Sequence, residues 1–457
     1  MYVPDRAYGI ETEYGCLLKR NKKIVSFPHE FLRKYLLCYA DRGSSALGSF
    51  CRLWGVNGSL TYIDTGNHPE HACPEARSAR DAVIYSHAGD MLMRGLFTND
   101  DFTEFTVLLF KNNIARDEDG ALRTFGCHEN YSGYADEAAY NHASFAPFLL
   151  TRQIFAGSGC WDENDIFFLS QRARALGSIS GIPYAQLPVK VKVDAGLRVH
   201  LTYGDSNMLD CAAFLKMGTT SLMLSLMEAG CMPDVTCSLL PIRDFARIAE
   251  YGAQAPIIFL NGGGKVSALE FQTIYWEAAR RKITGAMFQS EEVAAESELI
   301  IRLWEQALNA IASNDRAWML GRLDWATKQW LVDREIMRSG KSDLSTARNI
   351  RSTVDLCYHL IMDSSMRERI HAQWPDRRLT TDAELEHATK NPPKGTRAQI
   401  RGAAIRTAIE ICRQRTLIIG WNVISFQSEQ GKHMFHMMDP LNTYEDLSVS
   451  LQQCLRL

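Results

Sequence analysis

Residues 9–15 read Gly9-Ile10-Glu11-Thr12-Glu13-Tyr14-Gly15. In a β-strand, successive side chains point to opposite faces, so Glu11 and Glu13 share one face and the residues between them share the other. Two neighbouring carboxylates repel each other unless water or a shared cation neutralises them. The segment therefore predicts an amphipathic strand. Either a solvated edge or a cation site explains its acidic face.

A second acidic segment follows at residues 57–71, Asn57-Gly58-Ser59-Leu60-Thr61-Tyr62-Ile63-Asp64-Thr65-Gly66-Asn67-His68-Pro69-Glu70-His71. The spacing of two places Tyr62 and Asp64 on one strand face, and Glu70 follows a glycine-containing turn. Together with the first pair, these oxygens would form the hard-ligand site that Mg²⁺ and phosphates prefer. A carboxylate that stays free of metal can act as a general base. The alternative is that Asp64 only begins the turn.

Signals for other metal sites are weak. The twelve cysteines include no Cys-x-x-Cys pair, and most of them lie in apolar stretches, which predicts buried thiols. His68 and His71 have a spacing seen in zinc sites, but Pro69 lies between them and argues against a helix that would align the two rings.

A third polar segment is Arg198-Val199-His200. Strand alternation places Arg198 and His200 on the same face, where a cationic pair could contact a phosphate group. A polar rim with no ligand explains the pair equally well.

The order of the elements predicts an α+β fold. Roughly the first 210 residues read mainly as strands, and the following 165 residues show helical spacing of apolar side chains, which predicts helices packed on one face of a mainly antiparallel sheet. Helices are predicted over 268–282, 299–311, 323–337, 382–389 and 397–412. Pro-containing breaks near 375 and 392 suggest a catalytic domain over 1–377 and a small C-terminal α/β domain over 378–457.

The amino-acid composition excludes some classes of function. The 457 residues carry a formal net charge of −3, with 46% hydrophobic and 23% charged residues. This composition is typical of a globular protein. A net charge so close to zero produces no positive electrostatic field that would attract nucleic acid. We find no apolar run long enough to cross a membrane and no secretion-signal pattern at the start, so we expect a cytoplasmic protein with no membrane partner.

The motifs resemble, in order and spacing, the family of Pup ligases and Pup deamidase/depupylases. The resemblance extends from about residue 9 to residue 440. The matching segments are 9–15, Tyr62-x-Asp64-x₃-His68-Pro69-Glu70, 110–113, 126–131, 204–208, 268–272, 323–325, 355–359 and Pro392-Pro393-x₂-Thr396-Arg397-Ala398.

The resemblance implies a glutamine-synthetase-like carboxylate–amine ligase fold. It implies that ATP phosphorylates the C-terminal glutamate of a small disordered Pup-like modifier, and that a lysine of a target protein then displaces the phosphate. By matching positions, the Mg²⁺ ligands would be Glu11, Tyr62 and Glu70, with Glu13 assisting. Asp64 would be the base that deprotonates the lysine.

The resemblance also implies nucleotide contacts. Trp421 matches a tryptophan that contacts ATP, and Arg198 and His200 would meet the phosphates. Cys73 occupies the position of an ATP-contacting threonine, and Leu60 stands where the family has an arginine.

Within the family, the sequence favours the ligase. The connection between Tyr14 and Val56 is short, like that of the ligases, and lacks the long extra loop of the depupylases. Three alternatives stay open: a deamidase or depupylase, a carboxylate–amine ligase or phosphotransferase for another glutamyl substrate, and a non-catalytic binding module.

Overall fold

The computed structural model describes residues 1–20, 23–25, 52–64, 66, 68–97, 106–116, 122–136, 139–140, 144–178, 189–193, 197–235, 241–258, 264–341, 343–362, 365–410, 417–428 and 431–456. The strands are β1 (Tyr2–Val3), β2 (Tyr8–Glu13), β3 (Gly15–Arg20), β4 (Lys23–Val25), β5 (Arg52–Trp54), β6 (Leu60–Ile63), β7 (Pro69–Ala72), β8 (Thr106–Phe110), β9 (Ile114–Arg116), β10 (Leu122–Thr124), β11 (Cys127–Gly133), β12 (Cys160–Trp161), β13 (Phe167–Phe168), β14 (Val189–Val193), β15 (Leu197–Leu201), β16 (Pro256–Ile258), β17 (Lys265–Ser267), β18 (Met287–Phe288), β19 (Ile418–Ile419), β20 (Val423–Ser428) and β21 (Gly431–His436).

The α-helices are α1 (Ala79–Phe97), α2 (Phe145–Thr151), α3 (Gln153–Ala156), α4 (Gln171–Ser178), α5 (Asp210–Glu228), α6 (Pro241–Tyr251), α7 (Ala268–Ile283), α8 (Glu291–Ser313), α9 (Arg316–Met319), α10 (Asp324–Ser339), α11 (Leu344–Tyr358), α12 (Met366–Gln373), α13 (Asp382–Lys390), α14 (Ala398–Glu410) and α15 (Glu445–Arg456). Short 3₁₀ helices cover Gly252–Gln254 and Pro375–Arg377. Within the described ranges, no helix is long and apolar enough to cross a membrane.

The chain forms two compact units. The first contains Met1–Asp5, Phe110–Lys192 and Leu197–Leu379, and the second contains Arg6–Leu109, Val193–Gly196 and Thr380–Leu457. The C-terminal segment therefore shares a compact unit with the N-terminal strands, although the chain does pass from one unit to the other close to the boundary predicted near 378. The division into domains of 1–377 and 378–457 stays a prediction.

The second unit is built on the antiparallel strands β2, β7, β6 and β5, in that order. Alternate residues of β2 are buried, as the sequence pattern predicts. Helix α1 packs against β2 and β7, and Gly89 allows this approach because a Cβ there would lie 2.5 Å from the imidazole of His71. One face of the sheet is thus covered by a helix.

The C-terminal part of the second unit adds a three-stranded antiparallel sheet, in the order β19, β20, β21. Its inner face packs with α14 and α15 around a core that includes Ile400, Ile424, Phe426 and Leu451. Burying these side chains stabilises the sheet, since three short strands have little stability alone.

The first unit is mainly helical. Helix α5 is buried along nearly its whole length, which is typical of a helix at the centre of a core. It packs against α8, where Gly218 lies opposite Ile300. The strands β14, β15 and β11 lie side by side in this unit, with β11 and β15 antiparallel.

Most predicted elements are present. The five predicted helices correspond to α7, α8, α10, α13 and α14, although residues 411–412 of the last lie outside the described ranges. Helix α8 ends where Asn314 adopts a left-handed conformation, which is a common way for a helix to terminate. No helix was predicted before residue 210, so α1 and the shorter helices α2, α3 and α4 were missed. A hydrogen bond from the Asp81 amide to the Ser78 hydroxyl caps α1, and its packing on the sheet outweighs the strand propensity of Val83 and Ile84.

Candidate functional site

The acidic side chains of the second unit form a row across three neighbouring strands. Glu13 on β2 lies opposite Glu70 on β7, and Glu70 lies opposite Tyr62 on β6. Directly opposed residues of antiparallel strands share a face, and so do residues two apart on one strand. Glu11 therefore belongs to the same face, which is the one that α1 does not cover.

Burial exposes this row to two unfavourable effects, the desolvation of its acidic groups and the repulsion between their charges. Desolvation, with the nearby charges of Glu11 and Glu13, raises the pKa of Glu70 to about 9. Desolvation and the same carboxylates raise the pKa of Tyr62 well above its usual range, and its hydroxyl donates a hydrogen bond to Glu70. At neutral pH, the protein alone therefore retains a proton at a site built from three carboxylates.

These donors suit a hard divalent cation. Three carboxylates and a phenol offer only oxygen atoms, and a cation would replace the retained proton and remove the repulsion between the carboxylates. Magnesium fits such a set because it binds a few carboxylates and leaves positions for water and phosphate oxygens.

Asp64 lies just beyond the end of β6 and is held by His68. The amide of His68 donates to Asp64 Oδ1 at 2.6 Å, and the imidazole Nδ1 lies 3.4 Å from Asp64 Oδ2 and 3.2 Å from Glu13 Oε2. Burial lowers the pKa of His68, but the adjacent carboxylates of Asp64 and Glu13 outweigh this effect and raise that pKa to about 9.

His71 points away from this site. It alternates with Glu70 on β7, its Nδ1 lies 2.9 Å from the Thr61 hydroxyl on β6, and it is 2% exposed beside Gly89 of α1. Burial lowers the pKa of His71 to about 4, so it is neutral at physiological pH. His68 and His71 therefore do not converge, and the zinc alternative finds no support in their geometry.

Two positions with expected nucleotide contacts are buried. Cys73 continues the pairing of β7 with β2: its Sγ lies 3.0 Å from the Ile10 amide, and its own amide donates to the Ile10 carbonyl. Leu60 packs in an apolar cluster with Trp54, Ala72 and Ile405. A charged side chain at position 60 would therefore disturb this apolar packing.

Trp421 also lies in the second unit, at the edge of that apolar cluster. Its ring meets the Trp54 ring edge-on at 5.0 Å, and the Arg401 guanidinium lies 4.9 Å from its centre. Arg401 is fully buried and pairs with Glu75. Local sequence patterns do not reveal that Arg401, paired with Glu75, supports Trp421, because Glu75 and Arg401 are 326 positions apart.

Arg198 and His200 belong to the first unit. Both lie on β15, two residues apart, and His200 Nδ1 lies 2.8 Å from the Asn130 side-chain oxygen on β11. The His200 ring also meets that of His128 edge-on at 5.1 Å. The shared face of Arg198 and His200 agrees with the predicted alternation, and their contact with phosphate stays a prediction.

Comparison with known proteins gives a consistent result. The sequence model of the family described as Pup-ligase protein matches residues 6–425. The Pup–protein ligase of Acidimicrobium ferrooxidans is 30% identical, with 96% of this chain and 97% of that protein aligned. The ligase of Paenarthrobacter aurescens is 31% identical, with 91% and 92% aligned.

Solved structures agree on the fold. The crystal structure of the complex between Pup and its ligase PafA superposes with a TM-score of 0.84 at 24% identity, covering 99% of this chain and 92% of that chain. The structure of PafA with ADP gives a TM-score of 0.76 at 24% identity, covering 96% of each chain. The predicted fold class is confirmed.

Proposed function

The chain belongs to the Pup-ligase family, and from that premise we propose that it is an ATP-dependent ligase that joins a Pup-like modifier to lysines of target proteins. The observation that carries the proposal is the row of Glu13, Glu70 and Tyr62 across three strands, with Glu11 on the same face and Asp64 beside it. This arrangement groups oxygen atoms that suit a cation and leaves a separate carboxylate beside them.

Within this proposal, Glu11, Tyr62 and Glu70 would hold Mg²⁺, and Glu13 would assist them. The ion supplies charge neutralisation for the phosphate groups of bound ATP. The chain's own contribution is the fixed strand register, which holds the oxygens together before substrate arrives.

The first chemical step makes the modifier reactive. A carboxylate oxygen of its terminal glutamate attacks the γ-phosphorus of ATP, the bond from that phosphorus to the bridging oxygen breaks, and ADP leaves. The product is a γ-glutamyl phosphate, whose acyl carbon is a far better electrophile than that of a carboxylate.

The second step forms the isopeptide bond. The lysine amine must be neutral to attack, so Asp64 accepts its proton. The nitrogen then bonds to the acyl carbon, the bond from that carbon to the phosphate oxygen breaks, and phosphate leaves with the second proton that the nitrogen loses. Asp64 suits this role because it lies past the end of β6, outside the row formed by Tyr62 and Glu70.

Further parts of the proposal rest on the resemblance. Trp421 would contact ATP, while the contacts of Arg198, His200 and Cys73 with the nucleotide stay predictions. Partners are a Pup-like modifier ending in glutamate and lysine-bearing proteins, with no nucleic acid or membrane partner, and we place the reaction in the cytoplasm.

The test separates the two steps in purified protein with Mg-ATP and a Pup-type peptide ending in glutamate. Peptide-dependent ADP release reports the first step, and a gel shift of a lysine-bearing acceptor reports the second. We expect Asp64→Asn to keep ATP affinity within about twofold and to reduce conjugation by about 10²- to 10⁴-fold, the usual contribution of a general base.

The matched control is Asp376→Asn, because the Asp376 side chain is 74% exposed and is not among the proposed site residues. Conjugation by Asp64→Asn at the wild-type rate would remove Asp64 as the base. Release of ammonia from a peptide ending in glutamine, or of modifier from a preformed conjugate, without ADP formation would favour the hydrolase instead.

A further inference from the structure

Asp64 lacks the support that fixes the other acidic side chains. Glu13, Tyr62 and Glu70 lie within strands, where ladder hydrogen bonds set their positions. Strand β6 ends at Ile63, so the orientation of the Asp64 carboxylate depends on the turn that follows.

His68 provides that support from both its backbone and its side chain. Its amide donates to Asp64 Oδ1 at 2.6 Å, and its carbonyl accepts from the Asp64 amide at 3.0 Å. Its Nδ1 lies 3.4 Å from the second carboxylate oxygen, Oδ2. A single residue therefore contacts both oxygens of this carboxylate, Oδ1 through a backbone hydrogen bond and Oδ2 through an ion-pair contact.

The same imidazole nitrogen lies close to two carboxylates. Nδ1 lies 3.2 Å from Glu13 Oε2 as well as 3.4 Å from Asp64 Oδ2. The side chains of Glu13, Asp64 and His68 are only 12%, 15% and 19% exposed, so water screens the two acids weakly. An N–H group this close to both acids can attract both carboxylates and reduce their mutual repulsion.

The turn itself is shaped around this contact. A Cβ on Gly66 would lie 2.9 Å from His68 Cε1, 3.0 Å from His68 Nδ1 and 3.1 Å from Asp64 Oδ2. Any side chain at position 66 would push the imidazole or the carboxylate from its place. This second observation indicates that the position of the imidazole against Asp64 is specified by the chain.

We propose that His68 is a positioning residue that holds Asp64 apart from the cation-binding row and directs its carboxylate towards the incoming amine. The inference rests on the proposed function, and it concerns the second step only. His68 touches neither reacting atom, so its effect is exerted through Asp64.

The test compares His68→Ala, which removes the side-chain donor, with His68→Asn, whose amide nitrogen can replace Nδ1. Peptide-dependent ADP release measures phosphorylation, single-turnover transfer to an acceptor lysine measures the second step, and calorimetry measures Mg-ADP affinity. For His68→Ala we expect a loss of about 10- to 100-fold in transfer, as a misplaced catalytic group causes. Phosphorylation and Mg-ADP affinity should stay within about threefold, and His68→Asn should restore most of the transfer rate.

Gly66→Ala gives an independent variant, because it retains His68 but displaces its ring. It should show the same selective loss of transfer. The melting temperature in EDTA serves as the readout for folding, and all three variants should stay close to the wild type.

Each other outcome contradicts the proposal. Unchanged transfer in His68→Ala means that Asp64 needs no such support. A parallel loss of Mg-ADP affinity and both steps means that His68 is a cation ligand, and a loss that follows the melting temperature means that its role is structural. If the wild-type protein itself forms no acyl phosphate with the peptide, the proposed function fails, and this outcome is distinct from failure of the His68 proposal.

Discussion

The guanidinium of Arg401 lies over the indole of Trp421, 4.9 Å from the ring centre. One of its nitrogens also donates to the Trp421 carbonyl at 3.0 Å. A cation over an aromatic face in a desolvated setting contributes about 1–2 kcal/mol. The tryptophan proposed to contact ATP is therefore held by a buried residue before nucleotide binds.

Replacing Trp421 should weaken ATP binding more than it weakens catalysis at saturation. Stacking of a base on an aromatic side chain contributes about 1–3 kcal/mol, so we expect Trp421→Ala to raise the Kd for ATP by about 10- to 100-fold and Trp421→Phe to raise it less. Calorimetry or fluorescence titration measures the Kd.

Trp318→Ala is a matched control for the Trp421 variants. Trp318 also lies under an arginine, Arg322, at 5.1 Å, but it belongs to the first unit and is not a proposed ATP contact. An unchanged Kd in Trp421→Ala would show that Trp421 makes no contact with ATP.

The ion pair of Glu75 with Arg401 should matter for stability. Arg401 is fully buried, the Glu75 side chain is 11% exposed, and Arg397 adds a second bond to Glu75 at 2.8 Å. Removing one partner leaves a buried charge uncompensated, which costs about 3–5 kcal/mol. We expect Glu75→Gln to lower the free energy of unfolding by about this amount in a urea titration.

Glu384→Gln is the control, because Glu384 pairs with Arg80 at 2.8 Å on the surface, with side chains 36% and 38% exposed. A surface pair contributes about 0–1 kcal/mol. Equal effects of Glu75→Gln and Glu384→Gln would contradict the expected difference between a buried pair and a surface pair.

The same ion pair predicts how stability depends on pH. Burial alone would raise the pKa of Glu75. The charges of Arg401 and Arg397 have a larger opposite effect, so the pKa falls from 4.5 to about 2. The folded state thus releases this proton more readily than the unfolded state, so the contribution is complete above pH 4.5 and is lost as the pH falls towards 2. The shift corresponds to about 3 kcal/mol.

Unfolding by urea at a series of pH values measures this effect. The difference between wild type and Glu75→Gln should be constant from pH 7 to pH 5 and should shrink below pH 4.5. A difference that stays constant down to pH 2.5 would mean that Glu75 does not titrate in this range.

Local patterns predicted much of this structure. The alternation in residues 9–15 predicted which side chains of β2 are buried, and the apolar stripe of residues 299–311 predicted α8. These features depend on the period of the backbone, which a sequence displays directly. Helix α1 was missed because its stability comes from packing against β2 and β7, which no local window contains.

Local sequence patterns likewise predicted only part of the candidate site. The residues of its acidic face follow from two local segments, and the strand register confirms that Glu13, Glu70 and Tyr62 share a face. The support from Arg401 depends on pairing between distant positions. His68 is only four residues from Asp64, but its contact requires the open space at Gly66, and this requirement becomes visible only in three dimensions.

The raised pKa of Glu70 predicts a link between cation binding and pH. In the folded protein without metal, that pKa rises from 4.5 to about 9 through burial and the charges of Glu11 and Glu13. Between these pH values the folded state binds a proton that the unfolded state lacks. The free energy of unfolding therefore falls as the pH rises from 4.5 towards 9.

Adding Mg²⁺ should reverse that loss, because the cation replaces the proton and neutralises the carboxylates. We therefore expect the melting temperature to rise more on addition of Mg²⁺ at pH 9 than at pH 6. Glu70→Gln, which mimics the protonated carboxyl, should raise the melting temperature of the metal-free protein at pH 9 and should abolish most of the response to Mg²⁺. Glu384→Gln should respond like the wild type, since its carboxylate lies outside the row. An equal response to Mg²⁺ at pH 6 and pH 9 would mean that no proton is displaced, and Glu70 would then not be a ligand of the cation.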